Sequence, residues 1–582
     1  MTRPTPFVFA ASAAFCSTLF VPATSGQEGL LTQYEAVSDQ HLQNPPPEDW
    51  LMWRRTYDLS GHSPLTQISR ANAANLALAW QAPLSQGGNM TTPLVHDGVM
   101  FIADTGNRLL ALDARSGEQL WAYVHESENF DGRRIGVALH GDKVIVPHND
   151  MTMVALNVRT GAVEWTQTID TPVKDVTGGY YALRSAPVIA DGVIVQGVTA
   201  TAVPQGGFIF GLDLETGAEL WRFYTVARPD TPGGETWNDL TLEERSGGSV
   251  WIPGSYDADL DLIFFGTAPT YDTAPLLPDL NIAGVSNDAL YTNTTLALRP
   301  ATGELVWHYQ HIENDQWDLD WAFERQIINI SFEGEQRKAV INMGKLGILD
   351  AVDAATGEFL FSMDMGLQNV VTAINPETGY KTINPYTIPQ LEEQRLICSN
   401  HYGAKSWPPA AFNPITRKLF LPLNEGCLEV GPDGRYQILT TNIQMREALF
   451  PGSNGNMGRI QALDLDTQEF DWRHRQPSPV ISSILATAGG IVFAGDLNRH
   501  FRAFDDDTGE ILWEALLDDV PSSTIITYEI EGIQYVAIVA GQTGYHVNDW
   551  ARMYGIFAEP EGMPVNDAPK GGAAIWVYAL EH

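Results

Sequence analysis

One phrase recurs seven times along this chain. At its first appearance it reads Ala111-Leu112-Asp113, Ser116-Gly117-Glu118 and Trp121. It returns around Asn157, Gly161 and Trp165, then around Asp213, Gly217 and Trp221, and again around Gly303 and Trp307. The fifth copy, from Asp353 through Gly357, ends in Phe361 instead of Trp. The sixth, from Asp464 to Trp472, has Gln468 where Gly is expected, and the seventh runs from Asp505 through Gly509 to Trp513. Self-similarity at intervals of about 40–55 residues marks a repeat architecture, because one such unit cannot bury its apolar face alone.

Each phrase describes a hairpin. An alternating strand reaches Asp, whose carboxylate can hold the amides of the turn; Gly supplies a positive φ, and a second strand leaves toward Trp. Another apolar strand pair precedes each copy, as at 93–102 and 187–195. Four strands per unit, repeated, is a propeller blade. A Trp four residues past the Gly suits a large flat group packed between neighbouring blades. Seven copies call for an eighth blade built from both ends, with the strand near 76–80 pairing with 574–579 and so removing exposed edges. The expected fold is therefore an all-β, eight-bladed β-propeller over residues 27–582, its N- and C-terminal strands closing the ring. Extra length between Trp221 and Trp307, and between Phe361 and Trp472, predicts insertions on one face, where function usually sits.

Charge narrows the partners. Lys and Arg total 34 against 71 Asp and Glu, a formal net charge of −37, which excludes nucleic acid as a partner. It would instead steer a basic protein toward the molecule, or simply suit salty extracellular surroundings. Residues 1–26 combine Arg3, an apolar run at 7–21 and small residues at Ala23, Thr24, Ser25 and Gly26. That pattern is a secretion signal, implying a periplasmic or secreted protein. No other stretch approaches the length of a membrane span. Cleavage removes Cys16, leaving Cys398 and Cys427 as a disulfide or as two buried thiols. There is no Cys-x-x-Cys-His for covalent haem, and no zinc-protease, P-loop or dinucleotide motif.

The Ala-x-Asp-x-x-Thr-Gly-x-x-x-Trp phrase resembles the docking motif of the dehydrogenases that use pyrroloquinoline quinone (PQQ). Asn44-Pro45-Pro46 with Trp50, His62 to Ile68, Thr92 to Met100, and Trp407-Pro408 with Ala411-Phe412-Asn413-Pro414 add to the likeness, which extends over nearly the whole mature chain. The sorbose/sorbosone dehydrogenase branch is the nearest likeness, with methanol and ethanol quinoproteins more distant. Cys398 and Cys427 match a cysteine pair shared with the methanol branch. The resemblance implies oxidation of an alcohol, polyol or sugar hydroxyl to an aldehyde or ketone. Hydride would pass to metal-bound PQQ, with Ca²⁺ the usual ion, and electrons would leave for an external acceptor such as cytochrome c.

That chemistry needs a base for the hydroxyl proton and a Lewis acid at the accepting carbonyl. Asn314-Asp315-Gln316-Trp317-Asp318-Leu319-Asp320 resembles the family's Trp-Asp string and puts the base on Asp318. A neighbouring cation would lower its pKa. In an extended segment Asp320 points to the same side, and an acid there is what lanthanide-using relatives carry, as hard cations prefer oxygen. Lys345, in Met343-Gly344-Lys345-Leu346-Gly347, matches the cation that bonds the quinone oxygens. Trp251 matches the indole floor under the cofactor. Ser185 and Trp407 are further candidates for cofactor contact, and Arg133 or Arg134 for a cofactor carboxylate.

Three places depart from the methanol and ethanol pattern. The region above the cofactor, 131–136, has no cysteine pair. Residues 201–206 lack the metal-ligand Glu, and Gly266-Thr267-Ala268-Pro269 lacks the metal-ligand Asn. Thr267 and Asn293 are the candidate substitutes. The competing expectation is a non-enzymatic, protein-binding propeller of the outer-membrane assembly type. Such proteins lack the Trp-Asp-x-Asp string, the turn lysine and the long insertions.

Overall fold

Alternation of apolar and polar residues, broken by tight turns, produces antiparallel meanders throughout. The computed structural model describes residues 27–87, 90–127, 135–174, 176–271, 276, 279–390, 392–434, 436–437, 444–541, 545–558 and 572–581. The signal segment 1–26 and both Arg133 and Arg134 lie outside them. Consecutive meanders occupy 94–124, 138–168, 188–224, 255–310, 326–364, 411–476 and 485–516. Each has four antiparallel strands, and the last gains a short parallel strand, His62–Ser63. A further four-stranded sheet draws on both ends of the chain. Leu76–Pro83 pairs with Ala574–Leu580, which continues into Ile533–Ala540 and Ile526–Ile530. The terminal pairing expected from the sequence is thus present.

The repeated phrase does what its chemistry requires. Asp113 Oδ1 accepts from the Arg115 amide at 2.8 Å, and Asp213 Oδ1 from the Thr216 amide at 2.8 Å. The turn glycines adopt left-handed φ, from 67° at Gly161 to 75° at Gly117 and Gly357, a region where a side chain is penalised. Register shifts at Ala111/Leu112, Ala297/Leu298 and Ala503/Phe504 mark bulges beside the tryptophans, which re-aim the strand.

Each indole then leaves its own sheet for the next. Trp121 Nε1 donates to Val158 O at 2.8 Å, Trp165 to Leu214 O at 3.2 Å and Trp307 to Ala354 O at 3.1 Å. Trp513 reaches Leu76 O at 2.9 Å in the terminal sheet, whose own Trp80 reaches Ala114 O at 3.1 Å in the first. The ring face lies on the following turn glycine, and a Cβ at Gly161 would stand 2.8 Å from Trp121. Phe361 and Gln468 explain each other in these terms. Phe361 packs with Leu463 and Leu465 of the next sheet, has no N–H to donate, and needs no bare glycine, so Gln468 holds that turn at φ 58°.

The long insertions build separate structure. Arg395–Cys398, Gly426–Val430, Gln444–Leu449 and Tyr436–Gln437 form an added sheet. Cys398 stands opposite Cys427 within it, and the two are joined as a disulfide. The helix Tyr545–Ala558 covers this region, with Trp550, Met553 and Tyr554 packed on Tyr402, Met457 and Ile481. Among the described residues no helix is long and apolar enough to cross a membrane.

Candidate active site

A belt of hydrogen bonds links the inner ends of successive sheets and brings the predicted residues together. Thr524 N donates to Thr91 O, Thr92 N to Ile135 O and Ile135 N to Arg184 O, the residue before Ser185. Farther round, Val250 N donates to Val198 O, Ala268 N to Ser249 O and Asn293 N to Ala268 O. Trp321 N donates to Asn293 Oδ1 at 3.2 Å, Lys345 N to Asp320 O at 2.9 Å and Ala404 N to Lys345 O at 2.7 Å. Ser185, Trp251, Asn293, Asp320, Lys345 and Trp407 all lie on this belt or within three residues of it.

The acidic string is a turn, not the extended segment its spacing suggested. Asp315 accepts from the amides of Trp317 at 2.8 Å and Leu319 at 2.7 Å, and Asp318 takes a left-handed φ of 64°. The two carboxylates still converge, because the turn closes over Lys345. Lys345 Nζ lies 2.6 Å from Asp320 Oδ2 and 3.6 Å from Asp318 Oδ1, and it donates to Asp318 O at 2.9 Å. Lys345 is buried, so it is no surface turn lysine. Burial works against its charge, but Asp318 and Asp320 outweigh burial and hold the ammonium above the usual lysine range. At Asp318 the protein's own groups push the other way from the lowering a bound cation would bring. Burial pushes its carboxyl up to about 8, with Lys345 opposing and Asp320 and Asp315 adding to the rise. A single ammonium does not offset three carboxylates in a desolvated turn.

Surrounding contacts fix this turn rigidly. Asn293 Nδ2 donates to Asp315 Oδ2 at 2.9 Å while its Oδ1 holds Trp321. The Trp321 ring stacks on His311, centroids 4.4 Å apart and planes 5° apart. Thr267 Oγ1 instead donates to Tyr291 O at 2.5 Å and accepts from Thr294 N at 2.9 Å, so its hydroxyl closes a backbone turn. The disulfide-anchored loop supports the lysine, with Ser399 Oγ donating to Lys345 O at 2.5 Å. Ser185 Oγ accepts from Gln196 Nε2 at 2.6 Å.

Beside the acidic turn lies an aromatic floor. Trp251 packs against a buried cluster that includes Trp53, Leu59, Ile135, Ala186, Phe323 and Trp407. Its ring meets Phe323 edge to face at 5.7 Å. Buried oxygens without a hydrogen-bond partner among the described residues sit on the same inner segments: Thr91 Oγ1, Thr92 Oγ1, Thr199 Oγ1, Ser406 Oγ and Asp320 Oδ1.

Residues 50–366 and 429–536 match the model of the PQQ family described as glucose/ethanol/alcohol dehydrogenase, beta-propeller domain. The chain belongs to this PQQ-dependent alcohol dehydrogenase family. A quinohemoprotein alcohol dehydrogenase of Pseudomonas putida, ADH IIB, is 30% identical over 518 residues, covering 85% of this chain and 74% of that one. The quinoprotein alcohol dehydrogenase PedH, also of Pseudomonas putida, is 27% identical over 94% of both chains. The crystal structure of the quinohemoprotein alcohol dehydrogenase from Comamonas testosteroni superposes with a TM-score of 0.83 at 25% identity, covering 96% of this chain and 84% of that one.

As a PQQ-family dehydrogenase the protein has a site that fits both groups the family implies. Three carboxylates against one ammonium, with Asp320 Oδ1 buried and unpartnered, form a hard-oxygen set suited to a hard cation. A half-buried indole on an aromatic floor suits a planar ring, and the orphaned hydroxyls around it suit that ring's carboxylates and carbonyls. Sequence reasoning passed over Asp315, which caps the turn, and the charged residues woven into the floor: Arg54 beside Trp53, Glu324 and Arg325 after Phe323, and Lys405 before Trp407. The signal was there to read. Charges embedded in Trp-Ala-Phe-Glu-Arg and Gly-Ala-Lys-Ser-Trp have no reason to sit among such neighbours unless they are buried together.

Proposed function

We propose that this protein is an exported quinoprotein dehydrogenase, its eight sheets closing as an eight-bladed ring around PQQ and a metal ion. The observation that carries the reading is Lys345 buried between Asp318 and Asp320 on the belt that also presents Trp251. Trp251 would stack under the cofactor, with Ser185 and Trp407 at its edge and Arg133 or Arg134 toward a carboxylate. Asp318, Asp320 and Asn293 would hold the cation, with Thr267 bracing the strand behind. When bound, the quinone accepts the hydride and the cation, Ca²⁺ or a lanthanide, polarises the accepting carbonyl.

The chain's own groups do the rest. The alcohol gives its hydroxyl proton to the Asp318 carboxylate and a hydride from the adjacent carbon, leaving an aldehyde or ketone. Lys345 fixes the Asp318 turn and keeps a positive charge beside it, favouring the ionised base. Trp550 of the 545–558 helix lines the same small cavity as Ser406 and Trp407. Insertions of this size favour a polyol, sugar or bulky secondary alcohol over methanol. A separate carrier such as a cytochrome c would remove the electrons in the periplasm. The test is reconstitution of the apo-protein with PQQ plus Ca²⁺ or La³⁺, followed by dye reduction over an alcohol and sugar panel. Metal-dependent turnover of at least one substrate is expected. Absence of turnover with every metal, despite bound PQQ, would overturn the assignment.

A further inference from the structure

Next in sequence to members of the aromatic floor, three buried cations share one carboxylate. Lys405 Nζ pairs with Glu324 Oε2 at 2.8 Å and donates to Ser406 O at 2.8 Å. Glu324 spends its other oxygen on the Ala410 amide at 2.9 Å. Arg54 is fully buried; its Nη2 donates to Ala410 O at 2.8 Å and Ile484 O at 2.6 Å, while Nε and Nη1 find no partner among the described residues. Arg325, also buried, donates to Thr295 Oγ1 at 3.2 Å and to the carbonyls of Phe323 and Trp321. Among the described residues Glu324 is the one acid that acts on either guanidinium. Burial pulls Lys405 below the usual lysine range, with Glu324 opposing and both arginines adding to the fall. Three cations against one anion leave two positive charges in the interior, a costly arrangement without a counter-anion.

The position of this excess is specific. Each cation adjoins a member of the floor cluster in sequence: Arg54 follows Trp53, Arg325 lies two residues past Phe323, and Lys405 two before Trp407. Lys405 Nζ stands 4.9 Å over the Phe323 ring, which meets Trp251 at 5.7 Å. A ligand seated on Trp251 therefore rests on the ring that touches Phe323, the same Phe323 whose face carries the Lys405 ammonium. PQQ is a tricarboxylate whose ring gains electron density on reduction. Both properties call for a positive potential at this place.

We propose that Arg54, Arg325 and Lys405 act through the floor as the electrostatic seat of the quinone, tightening its binding and raising its reduction potential. The proposal rests on the quinone reading above. None of the three is a catalytic residue; they set the field in which the ring sits.

The experiment compares Lys405→Met, which keeps the stem and loses the charge, with Glu324→Gln, which loses the single anion. Two readouts are needed: PQQ affinity of the apo-protein by tryptophan quenching, and the reduction potential of the bound quinone by spectroelectrochemistry. Lys405→Met should bind PQQ about tenfold more weakly and shift the potential downward. Glu324→Gln should move both quantities the other way. A purely structural role would weaken both variants alike. Shifts in the same direction, or none, overturn the electrostatic role and leave the dehydrogenase reading standing. Failure of the wild-type protein to bind PQQ overturns that reading and this inference together.

Discussion

Asp318 is held where a base is useful and a bystander carboxylate would be expensive. It sits in a left-handed turn capped by Asp315, within reach of a buried lysine and beside a second carboxylate. Asp318→Asn keeps the shape and the Lys345 contact to the backbone carbonyl while removing proton acceptance. Turnover of the reconstituted enzyme should fall by about 10²–10⁴-fold, with PQQ still bound and the melting temperature not lowered, because a desolvated carboxylate is lost. Near-wild-type activity in steady-state dye reduction would remove Asp318 from the mechanism. This residue was legible in the sequence because the Trp-Asp-x-Asp string is local. Its geometry was not, since the turn depends on Asn293 reaching Asp315 from the turn that precedes the strand Thr294–Leu298. The Arg54, Glu324, Arg325 and Lys405 group was less legible still, because its members come from three distant segments and only the fold gathers them.

Elements in this chain are specified by a rule between neighbours: an indole on one sheet demands a bare glycine on the next. The rule was readable because it repeats, and its exception confirms the physics. Where Phe361 replaces Trp, Gln468 replaces Gly. Phe361→Trp alone should destabilise by about 1–3 kcal/mol, since a side chain at the turn position crowds a docked indole, as a Cβ at Gly161 would stand 2.8 Å from Trp121. Gln468→Gly alone should change little, relief of a left-handed φ being offset by a more flexible unfolded chain. Together they should recover most of the loss, giving a coupling energy above about 1 kcal/mol in a double-mutant cycle of unfolding midpoints. Strict additivity would mean that the two positions do not share a docking contact. The added sheet at 395–449 followed no such rule. It carries no repeated phrase, its strands are paired across loops, and the sequence announced it only as surplus length.

At the scale of the whole molecule, a formal charge of −37 is set by composition and needs no fold to be read. Its arrangement does need one, because many acids are spent internally. Asp496 holds Arg502 at 2.5 Å, Asp350 holds Lys381 at 2.7 Å, and the exposed-looking trio Asp505, Asp506 and Asp507 is tied to Arg70. The remainder is an unpaired acidic field that extends about 30 Å into solution at 0.01 M salt and only about 8 Å at 0.15 M. A basic electron acceptor approaching this surface should be steered at low ionic strength and lose that advantage as salt rises. With a lysine-rich cytochrome c as acceptor, kcat/KM for the acceptor should fall about tenfold or more across that range. A neutral dye should show no comparable change, which separates steering from any salt effect on the site itself. Equal salt dependence for the two acceptors would show that the acidic surface serves solubility and has no part in electron delivery.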